Sequence, residues 1–165
     1  MKQHVVHRMI ITFLVFLIVA AGNLTASASG EKWAEFELGW LKLGDKADKV
    51  EGIFGQPNNK TERYMSDYYQ FVTYHYNGLK VTFNYGKGEN GRSTNVEVTG
   101  SELTTASGIR VGDTVAMLKQ NYSSLSMSSR NGRDVYEYTV SPLVLSFTVN
   151  PQTGRIEAIA LYYNV

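Results

Sequence analysis

Leu43-Gly44-Asp45-Lys46-Ala47-Asp48-Lys49-Val50 returns 68 positions on, Gly44 to Gly112, as Val111-Gly112-Asp113-Thr114-Val115-Ala116-Met117-Leu118. Similarity at a fixed offset is the mark of a repeated unit and governs every later reading of the chain. In both places a Gly-Asp pair leads a short stretch with helical spacing. Asp45, Asp113 and Thr114 are residue types whose side chains accept hydrogen bonds from the free amides of a first turn, so they predict helix starts. Ala47, Val50, Ile53 and Phe54 then fall three or four apart, as do Val115, Leu118 and Tyr122. That spacing gives one apolar face to a helix of about two to three turns. Gly55-Gln56-Pro57 stops the first helix, whereas the second runs into Ser123-Ser124.

Outward from each helix the pattern changes to alternation. Leu79, Val81, Phe83 and Tyr85 point one way, and Lys80, Thr82 and Asn84 the other. Leu143, Leu145, Phe147 and Val149 repeat this 64 positions on, and Val96 and Val98 are answered 63 positions on by Ile159 and Leu161. A period of two belongs to strands with one buried face. Further strands are predicted at Tyr69–Tyr76 and Val135–Val140. Asn77-Gly78 signals a two-residue hairpin, since both residue types tolerate positive φ. Asn90-Gly91 and residues 150–154 close later hairpins, and Asn131-Gly132 marks a turn before the second sheet. The expected fold is α+β: two tandem repeats, each a short helix followed by three or four antiparallel strands, with the helices on one face of a curved sheet. The repeats span 29–99 and 108–165, joined by a small, polar linker at 100–107. Residues 29–42 carry Trp33, Phe36, Leu38, Trp40 and Leu41, too much apolar surface for a free tail. An extra strand and a first helix under the first sheet both fit them.

The N-terminus reads differently. Lys2, His4, His7 and Arg8 precede an apolar run from Met9 to Gly22, and Ala26-Ser27-Ala28 follows. This is the order of a secretory signal peptide, with cleavage expected after Ala28. The apolar run is shorter than the ~20 residues of a spanning helix. A secreted or extracytoplasmic, cell-envelope location in a bacterium is therefore expected. The alternative is an envelope assembly or scaffold component anchored by an uncleaved N-terminal segment. Of 16 basic residues, Lys2 and Arg8 leave with the signal, so 14 basic side chains face 15 acidic ones. That balance excludes a general nucleic-acid binder. The absence of cysteine excludes disulfide scaffolds, iron–sulfur clusters, thiolate zinc sites and cysteine nucleophiles.

A Gly-Asp-led helix followed by a hairpin sheet, present twice, with a Gly-x-Pro stop in the first copy, resembles the tandem-repeat fold of the β-lactamase inhibitor proteins. It also resembles the single-repeat outer-membrane assembly lipoproteins of the SmpA/OmlA type. The resemblance implies that a concave sheet face and a hairpin loop bind an enzyme. The matching loop would be Asn77-Gly78 with Tyr76 and Leu79, or the longer loop from Gly86 to Arg92. The inhibitors carry disulfides and this chain has none to offer, and Glu89 is the single acidic residue in those loops.

Catalytic patterns are sparse. Past the signal the chain has one histidine, His75, between Tyr74 and Tyr76. A serine triad needs a nucleophile and a carboxylate beside it, and no Gly-x-Ser-x-Gly elbow is present. One histidine is too few for zinc. Asp45 and Asp48 suit a helix start, and Glu137 and Glu157 suit a solvated strand face. The glycines around Lys87 lack the Gly-Lys-Ser/Thr ending of a phosphate loop. No enzyme activity, cofactor or metal is expected. All 11 tyrosines lie past the signal, and tyrosine combines large contact area with a polar tip. If Leu79, Val81 and Phe83 face the helix, Lys80, Thr82, Asn84, Asn95 and Glu97 face away. Tyr69, Phe71, Thr73 and His75 join that outer face in the expected register. This mixed aromatic and polar surface is the predicted binding face, for a protein or a cell-wall component.

Overall fold

The computed structural model describes residues 34–86 and 90–164; the expected signal peptide, Trp33 and the centre of the 86–92 loop lie outside them. Within these residues the fold is α+β, with two helices and one eight-stranded antiparallel sheet. Helix α1 (Ala47–Phe54) is followed by β1 (Asn59–Ser66), β2 (Tyr69–Tyr76), β3 (Leu79–Gly86) and β4 (Arg92–Val98). Helix α2 (Val115–Asn121) is followed by β5 (Ser126–Arg130), β6 (Arg133–Val140), β7 (Leu143–Asn150) and β8 (Arg155–Tyr163). The strand order is β1-β2-β3-β4-β8-β7-β6-β5. Each group of four is a meander, and the groups meet where β4 pairs β8 through Asn95–Tyr162, Val96–Leu161, Glu97–Ala160 and Val98–Ile159.

Alternation builds the core as the sequence implies. Leu79, Val81 and Phe83 are buried, as are Val96, Val98, Leu145, Phe147, Val149, Ile159 and Leu161. Val50 of α1 and Leu118 of α2 are both fully buried in the same cluster as these strand residues. Burying one such side chain contributes about 1.5–3 kcal/mol. Tyr122, just past α2, packs on Phe147 with ring centroids 5.3 Å apart, and Phe54 of α1 meets Tyr76 at 5.7 Å. Ile53 departs from the predicted apolar face and is exposed.

The helix starts divide the expected roles. Thr114 accepts the Met117 amide at 3.3 Å, as a cap does. The aspartates do not cap. Asp45 accepts the Lys42 amide at 2.9 Å, and Asp113 the Arg110 amide at 3.0 Å, so each closes the turn preceding its helix. Asp45 also pairs with Lys49, 2.7 Å away. The flanking backbone bonds correspond. Gly44 donates to Ser93 O and Ser93 to Asp45 O, both at 2.8 Å. Gly112 donates to Ile156 O at 2.8 Å and Ile156 to Asp113 O at 2.9 Å. Arg92 reaches Gly44 O (3.2 Å) and Arg155 reaches Gly112 O (2.7 Å). The register skips one residue in each of these strands, Thr94 in β4 and Glu157 in β8. Such bulges bend a strand and raise its twist.

Two segments pack more closely than their composition suggests. Phe36, Leu38 and Leu41 are buried around a turn bridged by Leu38–Leu41, with Trp40 exposed at its apex. Leu38 also bridges Thr105, and Leu103 and Thr105 of the stretch 100–107 are themselves buried. The Glu35 carboxylate accepts Ser107 Oγ (2.7 Å) and the Tyr122 hydroxyl (3.0 Å). Asn131-Gly132 lies within the sheet, between β5 and β6, rather than ahead of it. Both of its residues have positive φ (50° and 72°). In Asn77-Gly78 only the glycine does (69°), and its carbonyl accepts the Thr99 and Gly100 amides at 2.8 and 3.0 Å.

Candidate functional site

The strand register carries the predicted binding residues to one face of the sheet. Phe71 stands opposite Asn84, Thr73 opposite Thr82, His75 opposite Lys80 and Tyr69 opposite Gly86. On the next strand Lys80 faces Glu97 and Thr82 faces Asn95. Directly opposed residues share a face, so all eight predicted residues form cross-strand neighbours. Several are already joined. Thr73 and Thr82 hydroxyls are 2.9 Å apart, His75 Nε2 is 2.9 Å from the Thr61 hydroxyl, and Lys80 Nζ is 2.9 Å from Glu97. Tyr69 and Lys80 are exposed; the others are partly buried.

The middle of this face is a depression of about 590 Å³. Phe71, Thr73, Thr82, Thr94 and Asn95 line it from β2, β3 and β4, and Thr61, Glu62, Arg63 and Met65 from β1. Its two ionisable residues oppose each other in charge. Glu62 accepts the Tyr64 hydroxyl (3.0 Å) and the Gln70 amide (2.7 Å), and Arg63 donates to the Met65 sulfur (3.2 Å). Beside the depression, the buried Asn84 Oδ1 has no hydrogen-bond partner. A second depression of about 450 Å³ holds Ser146, Thr148, Tyr162, Arg130 and Arg133, and it shares Asn95 with the first.

Sequence reasoning missed β1 and Thr94. Every residue of β1 is exposed, so it has no apolar alternation to announce it. Thr94 enters the site through a bulge, which no periodicity encodes.

The acidic residues of β6 and β8 work separately. Glu137 accepts the Tyr162 hydroxyl at 2.9 Å and pairs with Arg130 at 3.4 Å. Glu157 accepts Asn150 at 2.7 Å and Arg133 at 2.5 Å. The Asn150 amide, followed by the Arg133 guanidinium, holds the Glu157 carboxyl below its ordinary range. Burial, then the Glu137 carboxylate, pushes the Tyr162 phenol up. Each glutamate thus has its own cation and the two form no acid–base pair. Among the described residues no group of three histidine or acidic side chains is placed to hold a metal ion, and no helix is long and apolar enough to cross a membrane.

Of the loops implied by the family resemblance, Asn77-Gly78 is tied down. Beyond the bonds to Thr99 and Gly100, the Asn77 side-chain oxygen accepts Asn58 Nδ2 at 3.2 Å. The more exposed hairpin tip is between β1 and β2, where Tyr64, Met65, Tyr68 and Tyr69 are all at least half exposed.

In sequence the chain matches no known family and no curated protein. In fold it is similar to a cysteine-rich secretory protein from Staphylococcus aureus, with a TM-score of 0.50 at 12% identity over 73% of this chain and 44% of that one. An extracellular protein containing an SCP domain from Bacillus anthracis gives a TM-score of 0.49 at 12% identity, over 74% of this chain and 44% of that one. The chain thus spans less than half the length of either protein. A candidate β-lactamase inhibitor protein from Streptococcus mutans aligns over 72% of this chain and 82% of its own, at 12% identity and a TM-score of 0.29. The Staphylococcus likeness shows a shared fold alone; likeness to the inhibitor group is loose.

Proposed function

We propose that this chain is an exported, non-enzymatic binding module that engages a protein or cell-envelope partner through one face of its sheet. In this reading the helix-and-four-strand unit is duplicated, and both helices cover the core side and leave the other face open. The paired backbone bonds around Gly44 and Gly112 support the duplication, as do the equivalent bulges at Thr94 and Glu157. The shared core of Val50 and Leu118 supports helices on one side. Export rests on the charged, apolar and small-residue order of residues 1–28. The secretory description of the Staphylococcus fold relative agrees with it. Inhibition of an extracellular enzyme is a special case.

One observation carries the reading: Phe71, Thr73, Thr82 and Asn95 come from three strands to line one depression. Concave surfaces with a few convergent polar groups are the default binding site of a fold. His75 meets the Thr61 hydroxyl and faces Lys80, and among the described residues no carboxylate is paired with its ring to complete a triad, which favours recognition over reaction. The test is retention of the full chain on the envelope fraction of the producing cell, repeated with Phe71→Ala and His75→Ala. Loss of retention in both variants, with folding intact, supports the sheet face. Retention equal to that of the parent chain removes it. Mass spectrometry of the N-terminus separates this module from the anchored scaffold, since a chain beginning at Ser29 excludes the anchor.

A further inference from the structure

The first depression has a chemistry that narrows its ligand. Its polar lining is dominated by uncharged groups: the hydroxyls of Thr61, Thr73, Thr82 and Thr94 and the amide of Asn95. Phe71 supplies a flat apolar side chain among them, half-buried and opposite Asn84. Arg63, opposite Phe71, is the one positive side chain of the lining; Glu62, opposite Val72, turns to the other face of β1, where it accepts Tyr64 and Gln70. Lys80, nearby, is neutralised by Glu97.

Each class of ligand asks for something different. The buried core of a protein–protein interface is about 65% apolar and built largely of aromatic, Met and Arg side chains; here Phe71 and Met65 stand among four threonines and an asparagine. An anionic polymer needs a run of uncompensated cations, and the lining of this depression offers one, Arg63. A sugar ring presents apolar C–H faces and a dense fringe of hydroxyls that both donate and accept. Threonine hydroxyls do the same: Thr94 donates to the Thr82 carbonyl and keeps its oxygen lone pairs, and the Thr73–Thr82 pair uses one hydroxyl proton and keeps the other. An asparagine amide offers both roles on one group, and an aromatic ring covers a C–H face. Strands lie about 4.8 Å apart, so β1 to β4 spans about 14 Å, room for about three pyranose rings laid across the strands. The second depression continues the path past Asn95 to Ser146, Thr148 and Tyr162.

We infer that the depression between β1 and β4 binds an uncharged oligosaccharide, with Phe71 as stacking platform and Thr73, Thr82 and Asn95 as hydrogen-bonding floor. This rests on the sheet-face reading above and names its ligand.

The experiment titrates the full chain with two probes, an N-acetylglucosamine hexamer and a glucose hexamer of the same linkage. Amide and methyl NMR shifts and calorimetry are the readouts. Binding should move the signals of Thr73, Thr82 and Asn95. Phe71→Ala should weaken it about tenfold or more, and Thr82→Val, which keeps shape and strand preference, about fivefold. Lys119→Ala on α2 should leave it unchanged. The inference is overturned if neither sugar shifts the face at millimolar concentration. It is equally overturned if Phe71→Ala and Thr82→Val bind like the parent, or if the face retains only a protease-sensitive partner. In that last case the sheet face survives as a binding surface and only its ligand changes. If envelope retention is also indifferent to Phe71, both proposals fall together.

Discussion

Two turns with the same Asn-Gly sequence are built for different loads, and one substitution in each measures the difference. Gly78 and Gly132 have nearly the same φ, 69° and 72°. A Cβ added at Gly132 meets nothing within 4 Å. At Gly78 it would lie 2.8 Å from both Cα and N of Gly100, well inside van der Waals contact and against backbone. Alanine at either site pays about 1–2 kcal/mol for the left-handed conformation. It recovers about 0.4–1 kcal/mol through a less flexible unfolded chain. Gly132→Ala should therefore cost about 1 kcal/mol. Gly78→Ala adds overpacking of about 1–3 kcal/mol. It also disturbs the bonds from Thr99 and Gly100 to the Gly78 carbonyl, each contributing about 0.5–1.5 kcal/mol. The total is about 2–4 kcal/mol with both bonds kept and about 3–7 kcal/mol with both lost. Urea unfolding followed by circular dichroism should show the Gly78→Ala midpoint falling by more than about 1 M and the Gly132→Ala midpoint by less. Equal losses, or a larger loss at Gly132, would refute the argument that Gly78 is fixed by the close approach of Gly100.

Leu118→Ala should lower unfolding free energy by about 2–5 kcal/mol, since the side chain is fully buried in the core; a loss near zero in urea melts would mean that α2 is not seated on the sheet. The Glu157 carboxyl is held low in the folded chain by Asn150 and Arg133. It therefore adds stability above the ordinary carboxyl range and loses it as pH falls through the folded value. Glu157→Gln should accordingly flatten the fall in Tm measured between about pH 6 and pH 3. Burial is the main cause raising the phenols of Tyr85 and Tyr122. Ultraviolet titration of the folded chain should show both lagging behind the exposed tyrosines, with one slow group removed by Tyr122→Phe.

The core side was legible because β3 alternates and β7 keeps Leu145, Phe147 and Val149 two apart, even though Val144 and Ser146 between them are buried as well. Leu79-Val81-Phe83 and Leu145-Phe147-Val149 admit one orientation once one face is buried. The same alternation placed Thr82, Asn84 and Lys80 opposite, so most of the candidate site followed from the register. What stayed hidden had no apolar pattern. β1 is exposed along its length and β5 nearly so, and their hydrogen bonds to β2 and β6 depend on neighbours rather than on their own side chains. Stretch 100–107 reads as polar, yet Thr105 is buried because its hydroxyl accepts the Ile109 amide at 3.1 Å. A satisfied threonine can occupy an interior position that composition would assign to solvent. The aspartates were read for the right region but the wrong bond, since the tight turn ahead of each helix competes with the cap for the same carboxylate.

The position of β8 bears on how the molecule assembles. Of the eight strands it is made last, yet it lies in the interior of the sheet between β4 and β7. Until it emerges, β4 has a bare edge, and the first meander has no second half to complete its hydrophobic interior. The central pairing therefore closes only after the second meander has been made, so the two halves of the sheet join last.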